Sequence, residues 1–206
     1  NGERTGARLL SDGDQLRIGR TIFKFLSGDH IERAYHDEIF RLMSTDSLTG
    51  SFNRQHFDRE LERLVAHSQR YGRALSLAML DIDHFKVIND SHGHVFGDRV
   101  LATLGSVVQT AKRAQDVFCR YGGEEFALIL PETALAGALH IAERIRGHVA
   151  AATYEFDGKS HAVSVSIGVA SLGAEESPEA LIEAADARLY EAKRGGRNRV
   201  APTPAT

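Results

Sequence analysis

Residues 117–130, VFCRYGGEEFALIL, contain the arrangement that decides the fold. Two apolar runs, 117–121 and 126–130, flank the adjacent glycines Gly122 and Gly123. A glycine pair between two such runs is typical of a tight hairpin turn, because both residues can adopt positive φ angles. The stretch therefore predicts two antiparallel strands in the middle of the chain.

On either side of this hairpin the sequence alternates helical and strand patterns. In chain order the predicted elements are a helix at 54–71, a strand at 75–80, a helix covering 100–111, the hairpin, a helix at about 132–149, a strand at 163–167 and a helix from 178 to 194. Because the order is mixed and includes a hairpin, we predict an α/β fold whose sheet has antiparallel members, and not a doubly wound Rossmann fold.

The first 45 residues have a different pattern. Residues 1–28 read as short β structure, too small to bury a core alone, and are interpreted as the edge of an upstream domain. Residues 29–45 are predicted to form a linker helix, since Ile31, Tyr35 and Ile39 recur at helical spacing. This helix is either a plain connector or a dimerising signal helix.

Composition excludes several classes of function. The 206 residues carry 25 Lys and Arg against 28 Asp and Glu, a net charge of −3, which argues against nucleic acid as a partner. No apolar run reaches membrane-spanning length, so a membrane partner is not expected. The single cysteine, Cys119, excludes an intrachain disulfide and favours a reducing compartment, the cytoplasm.

Three polar insertions interrupt the apolar pattern. They are residues 81–83 (DID) after the predicted strand, the pair Glu124 and Glu125 after the glycines, and Lys86. Carboxylates at a strand end and a hairpin tip could converge, and such oxygen ligands suit Mg²⁺ with a nucleotide phosphate. Equally, Asp83 could cap a turn while the glutamates and Lys86 stay solvated. Residue types alone leave both interpretations open.

Longer motifs resolve the choice. The chain resembles the GGDEF family, the diguanylate cyclases, through five blocks in family order: 46–50 (DSLTG) with 53–54 (NR), 81–90 (DIDHFKVIND), 93–98 (GHVFGD), 120–126 (RYGGEEF) and 187–198 (ARLYEAKRGGRN). The resemblance covers residues 46 to about 201. It departs at Ser51, where the family usually has leucine, and only packing is expected to change.

The resemblance implies a five-stranded, mostly antiparallel sheet surrounded by helices, similar to nucleotidyl cyclases and polymerase palms. It implies a nucleotidyltransferase that joins two GTP molecules into cyclic di-GMP and releases two pyrophosphates across a head-to-head homodimer. By analogy, Asp81, the backbone oxygen of Ile82, and Glu124 hold Mg²⁺ or Mn²⁺, two ions per half-site, with Glu125 as a further candidate ligand. Glu124 is also the candidate proton acceptor, and Lys86 would stabilise phosphate charge.

By the same analogy a set of residues binds GTP: Phe85, Lys86, Asn89, His94, Asp98, Gly122, Gly123, Lys193 and Arg197. Asn89 and Asp98 would recognise the guanine edge, and Lys193 and Arg197 would hold the phosphates. Each has a plainer alternative. The glycines could be only a turn, His94 could be a loop residue, Asp98 could favour a helix N-terminus and the two cations could favour a C-terminus.

A control site is also implied. Residues 113–116 (RAQD) lie nine residues before Gly122, where the family has its Arg-x-x-Asp product-inhibition motif. Arg113, Asp116 and Arg144 would bind cyclic di-GMP, and bound product would keep the GTP-carrying halves apart.

Other functions fit the same chain less well. A silent receptor for GTP or cyclic di-GMP should have lost metal acids, glycines or the lysine, and none is lost. A relative that accepts ATP conflicts with Asp98. A purely structural module would need no phosphate clamp.

The segment before residue 29 has a weaker resemblance. Residues 10–14 (LSDGD) and 19–26 (GRTIFKFL) resemble the last strands of a forkhead-associated (FHA) domain. That family's phosphothreonine-reading loops would lie upstream, so a phosphopeptide is a candidate partner of the missing part. The implied organisation is an FHA-like segment at 1–28, a linker helix at 29–45, the cyclase domain at 46–202 and a tail at 203–206.

Overall fold

The computed structural model describes residues 9–11, 13–18, 21–25, 35, 38–40 and 42–201. The chain divides into two compact units, Asn1–Met43 and Ser44–Thr206.

The N-terminal unit contains a β-hairpin. Strands β1 (Gln15–Ile18) and β2 (Thr21–Lys24) pair antiparallel, with Gln15 opposite Lys24. The prediction of β structure in this region is confirmed for these strands. Of the predicted linker helix at 29–45, residues 35, 38–40 and 42–44 are helical, whereas Thr45 forms an isolated β-bridge with Phe52 and is not helical. The other positions of this helix lie outside the described residues, as do residues 1–8, 12, 19–20 and 26–28 of the FHA-like segment.

The larger unit contains twelve regular elements in the part of the chain that is described. They are α1 (Arg54–Tyr71), β3 (Leu75–Ile82), α2 (Phe85–His92), α3 (His94–Ala111), β4 (Val117–Gly122), β5 (Glu125–Pro131), α4 (Leu135–Ala151), β6 (Tyr154–Phe156), β7 (Lys159–His161), β8 (Val165–Ser171), α5 (Pro178–Arg194) and β9 (Val200–Ala201).

Five of these strands form one sheet in the order β4-β5-β3-β8-β9. Every pairing is antiparallel except the short β8–β9 pair, which is parallel. The predicted five-stranded, mostly antiparallel sheet is therefore confirmed as a mixed sheet. Strands β6 and β7 form a separate two-stranded ribbon.

The sheet separates two hydrophobic cores because successive side chains along each strand point to opposite faces. On one face Ala78, Leu80 and Ile82 pack with α3 and α4 through residues such as Val100 and Ile145. The other face carries Leu75, Leu77 and Met79, and α1 and α5 cover it. Asp81, two positions after Met79, shares this second face, so α5 passes over the end of β3 where the acid lies.

Local sequence chemistry sets the ends of the two helices on this face. Asn53 caps α1 by accepting a hydrogen bond from the His56 amide, and Gly72 ends it with a left-handed conformation. Ser177 caps α5, whose first residue is Pro178. Helix α5 can lie close to the sheet because a Cβ on Gly168 of β8 would come within 2.0 Å of the Leu189 backbone nitrogen.

The central hairpin forms as predicted, with one correction. Gly122 is the last residue of β4 and pairs with Glu125, so Gly123 and Glu124 make the turn. Only Gly123 has a positive φ angle, 53°, whereas both glycines were expected to. The difference arises at a register irregularity between Arg120 and Gly122, which shifts the turn by one residue.

Candidate active site

Strand register brings the two acidic segments together. Asp81 of β3 lies directly opposite Glu125 of β5, so their side chains share a face at a Cβ separation of about 5 Å. At the next position the amide of Ile82 donates to the carbonyl oxygen of Glu124 at 3.4 Å. Acids more than forty positions apart in the numbering are thus neighbours at one edge of the sheet.

Asp81 is buried in this acidic setting, at 8% exposed. Burial raises the pKa of Asp81 above its ordinary value, and the charges of Glu124 and Glu125 raise it further. Lys193 at the end of α5 opposes both effects, with its Nζ 2.7 Å from Oδ2 of Asp81. The site therefore concentrates negative charge and draws a cation to it.

The donor set fits a hard divalent cation. Asp81 lies opposite Glu125, Glu124 lies in the adjoining turn, and carboxylate and backbone oxygens of this kind suit Mg²⁺ and Mn²⁺. Among the described residues no group of three or more acidic, histidine or cysteine side chains is placed so that these side chains alone could hold a metal ion. Since Lys193 forms an ion pair with Asp81, an incoming divalent ion would compete with an ammonium group for the same carboxylate.

Asp83, two residues after Asp81, makes hydrogen bonds within the protein. Its carboxylate accepts hydrogen bonds from the hydroxyls of Ser164 and Ser166, at 2.7 and 2.6 Å, and from the Asn198 amide at 2.9 Å. Asp83 thereby ties the loop after α5 to the end of β3. From the sequence, Asp83 was expected either to join the cation site or to cap a turn, and these hydrogen bonds were not predicted because their partners lie far along the chain.

That loop presents Arg197. Arg197 and Asn198 both have positive φ angles, 62° and 44°, which non-glycine residues adopt only when neighbours hold them. The bond from the Asn198 amide to Asp83 and one from Arg146 to the Asn198 side chain, at 2.7 Å, provide this hold. The Arg197 side chain is exposed, and these bonds hold the backbone that carries it.

Helices α2 and α3 join at Gly93 in a bend that we call the elbow, residues 85–98. Phe85 is buried and Lys86, beside it, is exposed. Asn89 is half-buried, and its Oδ1 is buried without a hydrogen-bond partner. A Cβ on Gly97 would lie 1.9 Å from that oxygen, so the missing side chain is what admits Asn89 to its position.

His94 and Asp98 complete the elbow on its α3 side. Both are exposed, and their spacing of four residues places them on one face of the helix. The structure therefore gathers Asn89, His94 and Asp98 on one short bend, on which the His94 and Asp98 side chains are exposed.

Asp46 and Arg120, which belong to the quoted motifs, hold the acidic turn in place. Arg120 donates from Nε to the carbonyl oxygen of Gly123 at 2.9 Å, and its Nη1 lies 3.2 Å from Oδ2 of Asp46. Burial by itself would raise the pKa of Asp46, but hydrogen bonds from Thr49 and the charge of Arg120 outweigh it and hold that pKa below its ordinary value. The pair fixes the acidic turn to the segment that begins the domain.

The Arg-x-x-Asp segment forms a second polar group on the molecule. The Arg113 amide donates to Oδ2 of Asp116 at 2.8 Å, and its guanidinium donates to the Thr133 hydroxyl at 3.2 Å. Arg144 donates to the Ala111 carbonyl at 2.8 Å, which holds it at the end of α3 near this segment. The other oxygen of Asp116, Oδ1, is buried with no hydrogen-bond partner.

Comparison with known proteins agrees with this site. A family model described as "Diguanylate cyclase, GGDEF domain" matches residues 43–199. The chain is 46% identical over 167 residues to the response regulator PleD of Caulobacter vibrioides, a match covering 80% of this chain and 37% of PleD. It is 43% identical over 178 residues to the diguanylate cyclase VdcA of Vibrio cholerae, covering 84% of this chain and 50% of VdcA.

Solved structures give the same result. The coiled coil and GGDEF domain of DgcB from Caulobacter crescentus, in complex with c-di-GMP, matches with a TM-score of 0.79 and 38% identity over 84% of this chain and 92% of that one. The active GGEEF domain of a diguanylate cyclase from Vibrio cholerae matches with a TM-score of 0.71 and 34% identity over 75% of this chain and 98% of that one. The chain belongs to the GGDEF-domain family of diguanylate cyclases.

The chain spans between 37% and 50% of the length of these two curated relatives. Among its described residues, no helix has both the length and the apolar character needed to cross a membrane.

The contact between Gly97 and Asn89 yields a prediction. In Gly97→Ala the new methyl group displaces the Asn89 amide, and binding of the non-reactive probe 3′-deoxy-GTP should weaken roughly fivefold to tenfold, the loss of about one hydrogen bond. Calorimetric titration measures this. Gly147→Ala is the matched control, since a Cβ there meets no atom and should leave binding unchanged. Parent-like affinity in Gly97→Ala would contradict a role for Asn89 in base binding.

Proposed function

We propose that this domain condenses two GTP molecules into cyclic di-GMP with release of two pyrophosphates. The observation that carries the proposal is the apposition of Asp81 with Glu124 and Glu125 beside Lys193, an acidic site with the charge and donor atoms for a cation-bound triphosphate. The 3′-oxygen of one GTP forms a bond to the α-phosphorus of the other. The bond from that phosphorus to the bridging oxygen breaks, and pyrophosphate leaves.

Two divalent ions per half-site, Mg²⁺ or Mn²⁺, would be held by Asp81, the Ile82 backbone oxygen, Glu124 and Glu125. When bound they supply charge neutralisation at the triphosphate and acidify the attacking hydroxyl. The protein's own groups do the rest. Glu124 accepts the hydroxyl proton, and Lys86 offsets negative charge that builds on the phosphates.

The remaining residues orient the nucleotide. Asn89 and Asp98 take the guanine edge, with His94 in the same wall and Phe85 beneath it. Gly122 and Gly123 have open space where side chains would stand, which supports backbone approach to the ribose and phosphates. Lys193 and Arg197 hold the phosphates, so that Lys193 exchanges its carboxylate partner for the triphosphate when substrate binds.

A homodimer follows from the stoichiometry. Each domain carries one elbow and one acidic site, whereas the reaction needs two nucleotides facing each other. Two copies placed head to head supply both reactants in fixed orientation, which converts an encounter of two nucleotides into an internal step.

The assigned roles can be tested by removing one group at a time. Glu124→Gln keeps the size of the side chain and removes its charge, and Lys86→Ala removes the ammonium group. Each should lower cyclic di-GMP formation from GTP and Mg²⁺ by at least about 100-fold, the usual scale for a lost acid–base or electrostatic group. Chromatography with mass identification of the product measures this.

Glu62→Gln, at an exposed position on α1, is the control and should retain full activity. Full turnover in either site variant would refute its role. A parent chain that binds GTP tightly and forms no cyclic product would instead indicate a receptor module.

We further propose product inhibition through Arg113, Asp116 and Arg144. The buried, unpartnered Oδ1 of Asp116 and the Arg113 guanidinium, whose Nε lies 3.7 Å from Oδ2 of the same carboxylate, support this, because a guanine edge offers N–H donors to a carboxylate and acceptors to an arginine. Bound product would then link domains in an arrangement where the GTP halves cannot meet.

Arg113→Ala tests this site. The substitution removes the guanidinium and should raise the concentration of cyclic di-GMP needed for half-inhibition roughly tenfold or more, with the initial rate unchanged, because the residue lies outside the acidic site. Initial rates with added product measure it. Arg73→Ala, which removes an exposed cation between α1 and β3, is the control. An unchanged inhibition curve in Arg113→Ala would remove this site from the account.

For the whole chain we propose an FHA-like segment at 1–28, a linker helix at 29–45, the cyclase domain at 46–202 and a tail at 203–206. The division into two units after Met43 and the start of the family match at residue 43 support the boundary between linker and cyclase. A phosphopeptide would be the partner of a complete upstream FHA domain.

A further inference from the structure

The small ribbon of β6 and β7 carries none of the residues assigned above, and it packs against the elbow. Each of its strands has three residues, and a two-stranded ribbon of that size is marginal without a packing partner. Its partner is a group of four aromatic rings, which we call the ring cluster: His92 of α2, Phe96 of α3, Phe156 of β6 and His161 of β7.

The ring cluster is tightly packed. The centroids of His92 and His161 are 4.4 Å apart with an interplanar angle of 67°. Phe96, only 1% exposed, lies 4.8 Å from Phe156 and 5.0 Å from His161. Ring pairs at these separations stabilise their arrangement by about 0.5–1.5 kcal/mol each beyond simple burial.

Two of these rings are built into the base-binding elbow. His92 follows Asn89 by three residues on the same helix, which makes them neighbours on its surface. Phe96 directly precedes Gly97, the residue against which the Asn89 amide rests. The ribbon therefore contacts both helices of the elbow, α2 through His92 and α3 through Phe96, on either side of Gly93.

This arrangement fixes a distance that matters for recognition. Asn89 sits on α2 and Asp98 on α3, so the spacing of the two groups depends on the angle between the helices. Gly93 at the joint has a φ angle of 80° and no side chain that could hold this angle. The ring cluster spans the joint and holds the angle instead.

We propose that His92 and His161 are positioning residues for guanine recognition, acting by locking the elbow through their ring contact. The inference rests on the proposed function of Asn89 and Asp98 as the groups that read the base. A metal site is a less suitable reading of the two imidazoles, since the described residues offer no third acidic, histidine or cysteine ligand with them.

A loss of this ring contact should change GTP affinity and base preference but not the rate of the chemical step. Loosening the elbow affects Asn89 and Asp98, whereas Asp81, Glu124 and Lys193 are held by strand register and by α5. His161→Ala should therefore weaken 3′-deoxy-GTP binding roughly fivefold, the scale of one aromatic pair, and raise the KM for GTP with little change in kcat. The preference for 3′-deoxy-GTP over 3′-deoxy-ITP, which lacks the 2-amino group, should fall as well.

The experiment compares five proteins in calorimetric titrations with both probes: the parent, His161→Ala, His161→Phe, His92→Ala and the double alanine variant. His161→Phe keeps a ring and should bind within about twofold of the parent. The double variant should lose less affinity than the two single losses added together, because both single substitutions remove the His92–His161 contact. His67→Ala, which removes a histidine in contact with Tyr71 at 4.7 Å on α1, is the control and should match the parent.

Parent-like affinity and base preference in His161→Ala would overturn the inference, as would failure of His161→Phe to restore them. If His161→Ala does not fold, His161→Leu takes its place, since it keeps apolar volume without a ring, and the same losses are expected. A parent chain that fails to bind 3′-deoxy-GTP would overturn the proposed function itself, whereas unaltered variants of a binding-competent parent overturn only the positioning role.

Discussion

The register between β3 and β5 is the constraint on which the site depends. A shift of one residue would move Asp81 away from Glu125 and would turn each side chain of the strand to the opposite face. The alternation of the two cores prevents this shift, because Leu77 and Met79 face α1 and α5 while Ala78 and Leu80 face α3 and α4. The hydrophobic cores thus hold Asp81 opposite Glu125, with Glu124 in the adjoining turn, against the mutual repulsion of these acids.

Polar contacts hold two segments whose positions the strand register does not set, the turn at Gly123 and the loop that contains Arg197. Arg120 joins the turn carbonyl of Gly123 to Asp46, and Asp83 joins the loop of Arg197 to the end of β3. Both sets of bonds link segments distant in sequence, and both bring polar groups to the same edge of the sheet. Lys193 neutralises part of the charge, so the acidic edge is stable before any substrate binds.

Much of this could be predicted from residues alone where the signal is local. Asn53, Gly72, Ser177 and Pro178 mark helix ends by their own backbone chemistry, and the structure has α1 and α5 at the expected positions. The five-stranded, mostly antiparallel sheet and the candidate acidic residues were predicted from family motifs, whereas the order of the strands was not. The roles assigned to site residues remain predictions, since no ligand contact tests them.

Other features depend on contacts that one sequence does not encode locally. The β6–β7 ribbon was not predicted, because its strands have three residues each and no clear alternation. The bonds of Asp83 join positions more than eighty residues apart, and the pairing of Asp46 with Arg120 spans seventy-four. The turn consists of Gly123 and Glu124 and is one position later than expected, because the sequence does not indicate the irregularity in the pairing of β4 between Arg120 and Gly122.

The central claim is that carboxylates from two strands form one cation site. Electron paramagnetic resonance titration of Mn²⁺ in the presence of 3′-deoxy-GTP tests it in the parent, Asp81→Asn, Glu124→Gln and the double variant. Each single variant should lose most of the Mn²⁺ affinity, and the double variant should lose little more, because the two groups act on the same ions. Undiminished Mn²⁺ binding in either single variant, or losses that simply add, would contradict the account.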